Sequence, residues 1–171
     1  MKKFDIYRRN LAVLQTAKDQ DITSEFIISG IIDKFFFQFE LGWKVMKELL
    51  LYEGSARAKT GSPREIIKEA YRYYLCMDED VWLSMLSQRN NMAHLYDGEA
   101  AKEFLNRILS DYIPAFQKLE KIILDRYHDL LEPEEDAVSC LTDSLTGVLK
   151  GIVDLDQARK ECLAEKYTVN D

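Results

Sequence analysis

The sequence has few of the residues that interrupt helices or build turns. It contains only three prolines and seven glycines in 171 residues. Because proline breaks helices and both residues dominate tight turns, their scarcity permits long helices and argues against many short strands. Hydrophobic side chains make up 47% and charged ones 31%, which is enough for one buried core. We predict an all-α fold, an up-and-down bundle of four to five helices.

Metal ligands are also scarce. The three cysteines, Cys76, Cys140 and Cys162, are widely separated and form no CxxC pair. The two histidines, His94 and His128, lie far apart from each other. This spacing supports neither a disulfide framework nor a zinc site. We therefore expect no metal and no cofactor.

Uninterrupted apolar runs of membrane-spanning length are missing. The most apolar window, residues 26–43, is broken by four polar side chains: Asp33, Lys34, Gln38 and Glu40. This composition excludes a membrane span there. Residues 1–9 carry charge without a following apolar run, so we expect no secretory signal. A cytoplasmic protein without membrane association is the expectation.

The net charge of −7 is unevenly distributed. Residues 1–131 hold 19 Lys and Arg against 20 Asp and Glu, whereas residues 132–171 hold 4 against 10. The junction Glu-Pro-Glu-Glu-Asp, residues 132–136, has the composition of a linker. We predict a helical bundle over residues 1–131 and an acidic, partly helical C-terminal appendage over residues 132–171.

The densest basic stretch consists of Arg57, Lys59, Arg64 and Lys68. Such a cluster is most often a solvated surface loop. The alternative is a local binding site for an anionic substrate, with Arg64 and Lys59 as the substrate-binding residues. Both interpretations remain open at the level of the sequence.

Apolar residues recur at three- and four-residue steps, which predicts five helices in the first part of the chain: about residues 3–18, 24–53, 63–76, 79–96 and 99–131. Gly54 is positioned to end the second helix, and Ser62 and Asp78 to cap the third and fourth. Pro114 must kink or interrupt the last one.

The second helix is apolar around most of its circumference, which indicates burial against several neighbours, including a second subunit. It also contains Gly30 and Gly42, each of which costs about 1 kcal/mol relative to alanine. We expect a close backbone approach at these two positions.

The segment from Arg89 to Tyr96 carries the chemistry. If it is helical, Arg89 and Tyr96 share the apolar stripe of Trp82, and Asn90 and His94 share the adjoining face. A guanidinium on an apolar stripe needs a partner. His94 lies about 140° from Arg89 on the helical wheel, so two copies of the segment in a two-fold dimer would converge them better than one.

A structural explanation of the same residues is available. Arg89 would pair with a carboxylate such as Glu40, His94 would cap a helix end, and Tyr96 would belong to the core.

The spacing Arg89-x4-His94 resembles the signature of HEPN domains, and Tyr96 extends it to the Arg-x4-His-x-Tyr pattern of HepT toxins, which are encoded beside minimal nucleotidyltransferases. Four further segments resemble nucleotidyltransferase substrate-binding proteins: Phe39–Lys44, Thr60–Glu65, Val81–Leu86 and Tyr112–Phe116. The resemblance covers about residues 1–130.

The resemblance implies a homodimeric bundle that acts as a metal-independent endoribonuclease on RNA. His94 would transfer the proton, Arg89 would stabilise charge on the phosphate, and Asn90 would position both. A minimal nucleotidyltransferase partner would control the protein by modifying Tyr96. The alternatives are a non-catalytic substrate-binding subunit of that nucleotidyltransferase and a plain dimeric helical adaptor.

Overall fold

The computed structural model describes residues 1–75, 77–91 and 98–131, and this part of the chain is built of helices and turns. Contacts divide the chain into two units at Leu131, and the first unit is the one described here. Its α-helices are α1 (Lys2–Gln15), α2 (Glu25–Tyr52), α3 (Pro63–Tyr73), α4 (Glu79–Asn90), α5 (Gly98–Arg107), α6 (Ile113–Arg126) and α7 (His128–Leu131). The prediction of an all-α bundle is confirmed. No helix in the described ranges is long and apolar enough to cross a membrane.

The long helix α2 forms the centre of the bundle and packs against α1, α3, α4 and α5. Its buried side chains occupy most turns from Ile28 to Leu50, as the broad apolar pattern predicted. The helix ends as expected at Gly54, which has φ = 81°. There the Ser55 amide donates to the Leu50 carbonyl at 2.9 Å and the Gly54 amide to the Leu51 carbonyl at 3.0 Å, a Schellman motif.

A close approach between α2 and α4 occurs at Gly42. A Cβ atom there would lie 2.7 Å from Cη2 and 2.9 Å from Cζ3 of Trp82, whose side chain is fully buried. A neighbour thus approaches Gly42 closely as expected, but it does so with the indole side chain of Trp82 and not with its backbone. The expectation of a close approach at Gly30 is wrong within this chain, because no atom outside the backbone of α2 lies within 4 Å of the position that a Cβ atom of residue 30 would take.

The caps of α3 and α4 follow the sequence signals. Ser62 and Glu65 form a complete capping box at the start of α3, and the Asp78 side chain accepts a hydrogen bond from the Val81 amide at 3.2 Å. Helix α3 ends at Tyr73 rather than near residue 76, because Tyr74 leaves the helical conformation with φ = −126° and ψ = 71°.

Pro114 interrupts the last predicted helix. Residues Ile108–Tyr112 form a π-helical turn between α5 and α6, and the proline occupies the first turn of α6, where its missing N–H costs little. The predicted single helix is thus divided into α5, α6 and α7.

A tyrosine cluster joins the C-terminal ends of α2, α3 and α6. Tyr127 donates to Glu53 at 2.6 Å, and its hydroxyl also pairs with that of Tyr74 at 2.5 Å. Arg126 lies 3.3 Å from Glu53 and donates to the Tyr73 carbonyl at 3.0 Å. Burial raises the pKa of Tyr74, and burial together with the hydrogen bonds to Glu53 and Tyr74 raises the pKa of Tyr127.

Candidate functional site

The two described residues of the motif, Arg89 and Asn90, form the last turn of α4. Trp82, Met85 and Leu86 on the same helix are buried, whereas the side chain of Arg89 is 44% exposed. The apolar stripe therefore stops one turn before Arg89, and the guanidinium reaches solvent rather than the core.

Helix α4 also ends earlier than predicted. Asn91 has φ = −107° and ψ = 27°, so the helix does not continue through it towards Tyr96. The predicted angle between Arg89 and His94 assumed one continuous helix and does not apply. His94 and Tyr96 themselves lie outside the described residues.

Arg89 is held by Glu40 of α2, the carboxylate that the structural interpretation named. Arg89 Nη2 lies 3.0 Å from Glu40 Oε1. The contact is an ion pair rather than an aligned hydrogen bond, because the buried Oε1 accepts no hydrogen bond in the described part of the chain. Lys44 approaches the other oxygen of Glu40 at 3.1 Å.

This pairing leaves Arg89 able to bind a ligand. The Arg89 side chain is 44% exposed, so an incoming anion can bind its remaining N–H donors without displacing Glu40. Within the described ranges, the guanidinium makes one hydrogen bond, from Nη1 to Asn90 Oδ1 at 3.3 Å. Since guanidinium carries five N–H donors, most of them remain available.

Arg89 and Asn90 line a cleft of about 430 Å³ between the start of α3 and the end of α4, which we call the Arg89 cleft. Its other lining residues are Ser62, Pro63, Arg64, Leu83, Leu86, Ser87 and Asn91. The structure thus brings Arg64 to the same cleft as Arg89, although the two residues are 25 positions apart. Two cations beside an apolar wall suit an anionic group attached to a flat or apolar body.

The other basic residues lie elsewhere. Arg57 and Lys68 line a second cleft of about 330 Å³, together with Thr60, Gly61, Glu65, Glu69 and Arg72. Lys59 is exposed and lines neither cleft, so it does not join Arg64 at the Arg89 cleft.

Three of the four segments that carried the family resemblance contribute to this site, and the fourth, Tyr112–Phe116, does not line it. Arg64 comes from the second of them, Leu83 and Leu86 from the third, and Glu40, the partner of Arg89, from the first. Ser62 was predicted as the cap of α3, and nothing in the local pattern of Ser62 and Pro63 indicates that they line a cleft. In the described ranges, no three His, Cys, Asp or Glu side chains are grouped so that they could hold a metal ion.

Comparison with known proteins agrees with this picture. The family described as nucleotidyltransferase substrate binding protein like matches residues 2–124. The chain belongs to this family. A protein of Haemophilus influenzae named "Probable ribonuclease HepT" is 34% identical over 82 residues, which are 47% of this chain and 56% of that protein. The chain thus matches about half the length of this curated relative.

Proposed function

We propose that this protein is a HEPN-type, metal-independent endoribonuclease that works with a minimal nucleotidyltransferase in a toxin–antitoxin-like pair. The observation that carries the proposal is the position of Arg89, which is half-exposed at a cleft shared with Arg64 and Asn90 and is paired with Glu40 of α2. The name of the Haemophilus influenzae relative supports RNA as the substrate.

In the proposed reaction, the ribose 2′-oxygen attacks the neighbouring phosphorus while the bond from phosphorus to the 5′-oxygen breaks. His94 takes the 2′-hydroxyl proton and delivers a proton to the leaving 5′-oxygen. Arg89 stabilises the negative charge that builds on the phosphate, with Asn90 holding its guanidinium. Arg64 and Lys59 contact neighbouring parts of the substrate.

Cleavage of RNA by the purified protein in the presence of EDTA tests the proposal. We expect His94→Ala to lower the rate about 10²- to 10⁴-fold and Arg89→Ala about 10²- to 10³-fold. Arg9→Ala, which removes an exposed arginine of α1, is the matched control and should leave the rate unchanged. Equal cleavage by His94→Ala and the wild type would contradict the assignment.

We also propose that the nucleotidyltransferase controls the protein by transferring nucleotide to Tyr96. The added phosphodiester and base would compete with RNA for Arg89 and fill the cleft. Incubation with the partner enzyme, ATP and magnesium should raise the intact mass by one nucleotidyl group, and Tyr96→Phe should abolish the increase. An unchanged mass with an enzyme that is active on another substrate would refute the modification.

The second candidate is a non-catalytic subunit that presents a substrate to the nucleotidyltransferase, and the words "substrate binding protein" in the family description favour it. The same cleft would then bind the substrate without cleaving RNA. This candidate predicts that Arg89→Ala weakens nucleotidyl transfer by the complex onto a third molecule, and that the protein alone leaves RNA intact.

A further inference from the structure

A basic surface extends from the Arg89 cleft along α3. Residues 55–73 carry five cations against two carboxylates, whereas the bundle as a whole, residues 1–131, has one carboxylate more than cations. The cations are Arg57, Lys59, Arg64, Lys68 and Arg72. The positive charge of the bundle is therefore locally concentrated on this element.

Both carboxylates of the segment are engaged in local contacts. Glu65 accepts hydrogen bonds from the Ser62 amide and hydroxyl, both at 2.8 Å. Glu69 is only 12% exposed and lies 3.3 Å from Arg57 and 3.1 Å from Arg72, whose side chains are 67% and 62% exposed. Glu69 thus lies beneath the surface formed by Arg57 and Arg72, whereas Glu65 is exposed and is held at the start of α3 by Ser62. With five cations against these two carboxylates, the net charge of the segment is positive.

Three of the cations follow one another at the spacing of a helical turn. Arg64, Lys68 and Arg72 are four residues apart, so successive side chains rise about 6 Å along α3 and rotate by about 40°. Arg64 lines the Arg89 cleft, while Lys68 and Arg72 line the second cleft with Arg57. We call these four residues, Arg57, Arg64, Lys68 and Arg72, the basic track.

The character of this face distinguishes between possible partners. Protein interfaces usually have an apolar core, yet no large apolar residue of α3 or of residues 55–62 is exposed. A line of exposed cations that leads into a cleft is instead the arrangement that follows a nucleic-acid backbone. The ion pairs of this segment join Glu69 to Arg57 and Arg72, and among the described residues neither Arg64 nor Lys68 makes one, so both are available for phosphates.

We infer that the basic track binds the sugar-phosphate backbone of single-stranded RNA beside the phosphate held at the Arg89 cleft. The inference rests on the proposed function for the location of the reacting phosphate. It adds that the substrate is a strand of several nucleotides, because a dinucleotide has one internal phosphate, and Lys68 and Arg72 would bind further ones.

Binding of a 2′-O-methyl RNA of about 12 nucleotides, which cannot be cleaved through the 2′-oxygen, tests the track independently of catalysis. Fluorescence anisotropy over a series of salt concentrations gives the slope of log K against log salt. Each lost phosphate contact should reduce this slope by about 0.7 and weaken binding about fivefold at about 0.1 M salt. We expect one such step for Lys68→Gln and two for Lys68→Gln combined with Arg72→Gln.

Lys121→Gln, at an exposed lysine of α6, is the matched control and should change neither slope nor affinity. Equal effects of Lys68→Gln and Lys121→Gln would overturn the inference. So would an unchanged RNA slope together with weaker binding of the nucleotidyltransferase, which would assign this face to the protein partner. If the wild type binds RNA through the track but cleaves none, the inference holds and the proposed catalysis is wrong.

Discussion

Replacing Gly42 by alanine places a methyl group against the indole ring of Trp82. The new Cβ would lie 2.7 Å from Cη2 and 2.9 Å from Cζ3, distances at which the ring or the helix must move. Gly42 and the Trp82 side chain are both buried, and forcing an extra methyl group into a packed core costs about 1–3 kcal/mol. The higher helix propensity of alanine returns about 1 kcal/mol. We expect a net loss of about 1 kcal/mol in the free energy of unfolding.

Gly30→Ala supplies the matched control in the same helix. It gains the same propensity, but its Cβ meets no atom within 4 Å, so we expect a stabilisation of about 1 kcal/mol. The difference between the two variants, about 2 kcal/mol, isolates the contact with Trp82. Urea unfolding followed by far-ultraviolet circular dichroism measures it, at one fixed protein concentration low enough to keep the chain monomeric, because Gly30 shares a face of α2 with Phe26 and Phe37. If Gly42→Ala were as stable as Gly30→Ala, the close approach of α2 and α4 would be refuted.

Three further predictions concern other parts of the molecule. Burial raises the pKa values of Tyr7, Tyr74 and Tyr127, so folding favours their neutral forms. The free energy of unfolding should therefore be constant below the unfolded pKa of about 10 and fall above it. Urea midpoints measured across that pH range should show this fall, and the fall should be smaller for Tyr127→Phe. Phe26 is 88% exposed and Phe37 is 49% exposed, and the two lie within about 20° of one another on α2. We predict a homodimer that uses this face, which sedimentation at micromolar concentration should detect and Phe26→Ser should weaken. A monomeric wild type would contradict the prediction. Truncation after Leu131 should preserve cooperative thermal unfolding. If the truncated protein no longer unfolded cooperatively, residues 132–171 would belong to the core.

Local signals in the sequence predicted the helix ends well. Gly54 ends α2, Ser62 and Asp78 cap α3 and α4, and Pro114 divides the last helix, because each acts through backbone groups within a few residues. The end of α4 was missed because no glycine or proline follows Asn90 and the apolar periodicity continues.

Contacts between distant segments were harder to predict. Pairing of Arg89 with Glu40 was one of two interpretations: the sequence suggested Glu40 as an example of a carboxylate partner, but charge alone could not select it. The placement of Arg64 in the Arg89 cleft, and the separation of Lys59 from it, depend on how α3 packs against α4. That packing is determined by side-chain shape across the bundle and cannot be predicted from the local sequence pattern.

The tyrosine cluster has a consequence for how the bundle opens. Tyr127 connects the end of α6 to Glu53 at the end of α2 and to Tyr74 just beyond α3, three points up to 74 positions apart in sequence. Helix ends normally fray independently, and their amides exchange with solvent at different rates. Here one helix cannot release its last turn without breaking hydrogen bonds of the other two. The amides at these three ends should therefore exchange with similar protection, as a single cooperative unit.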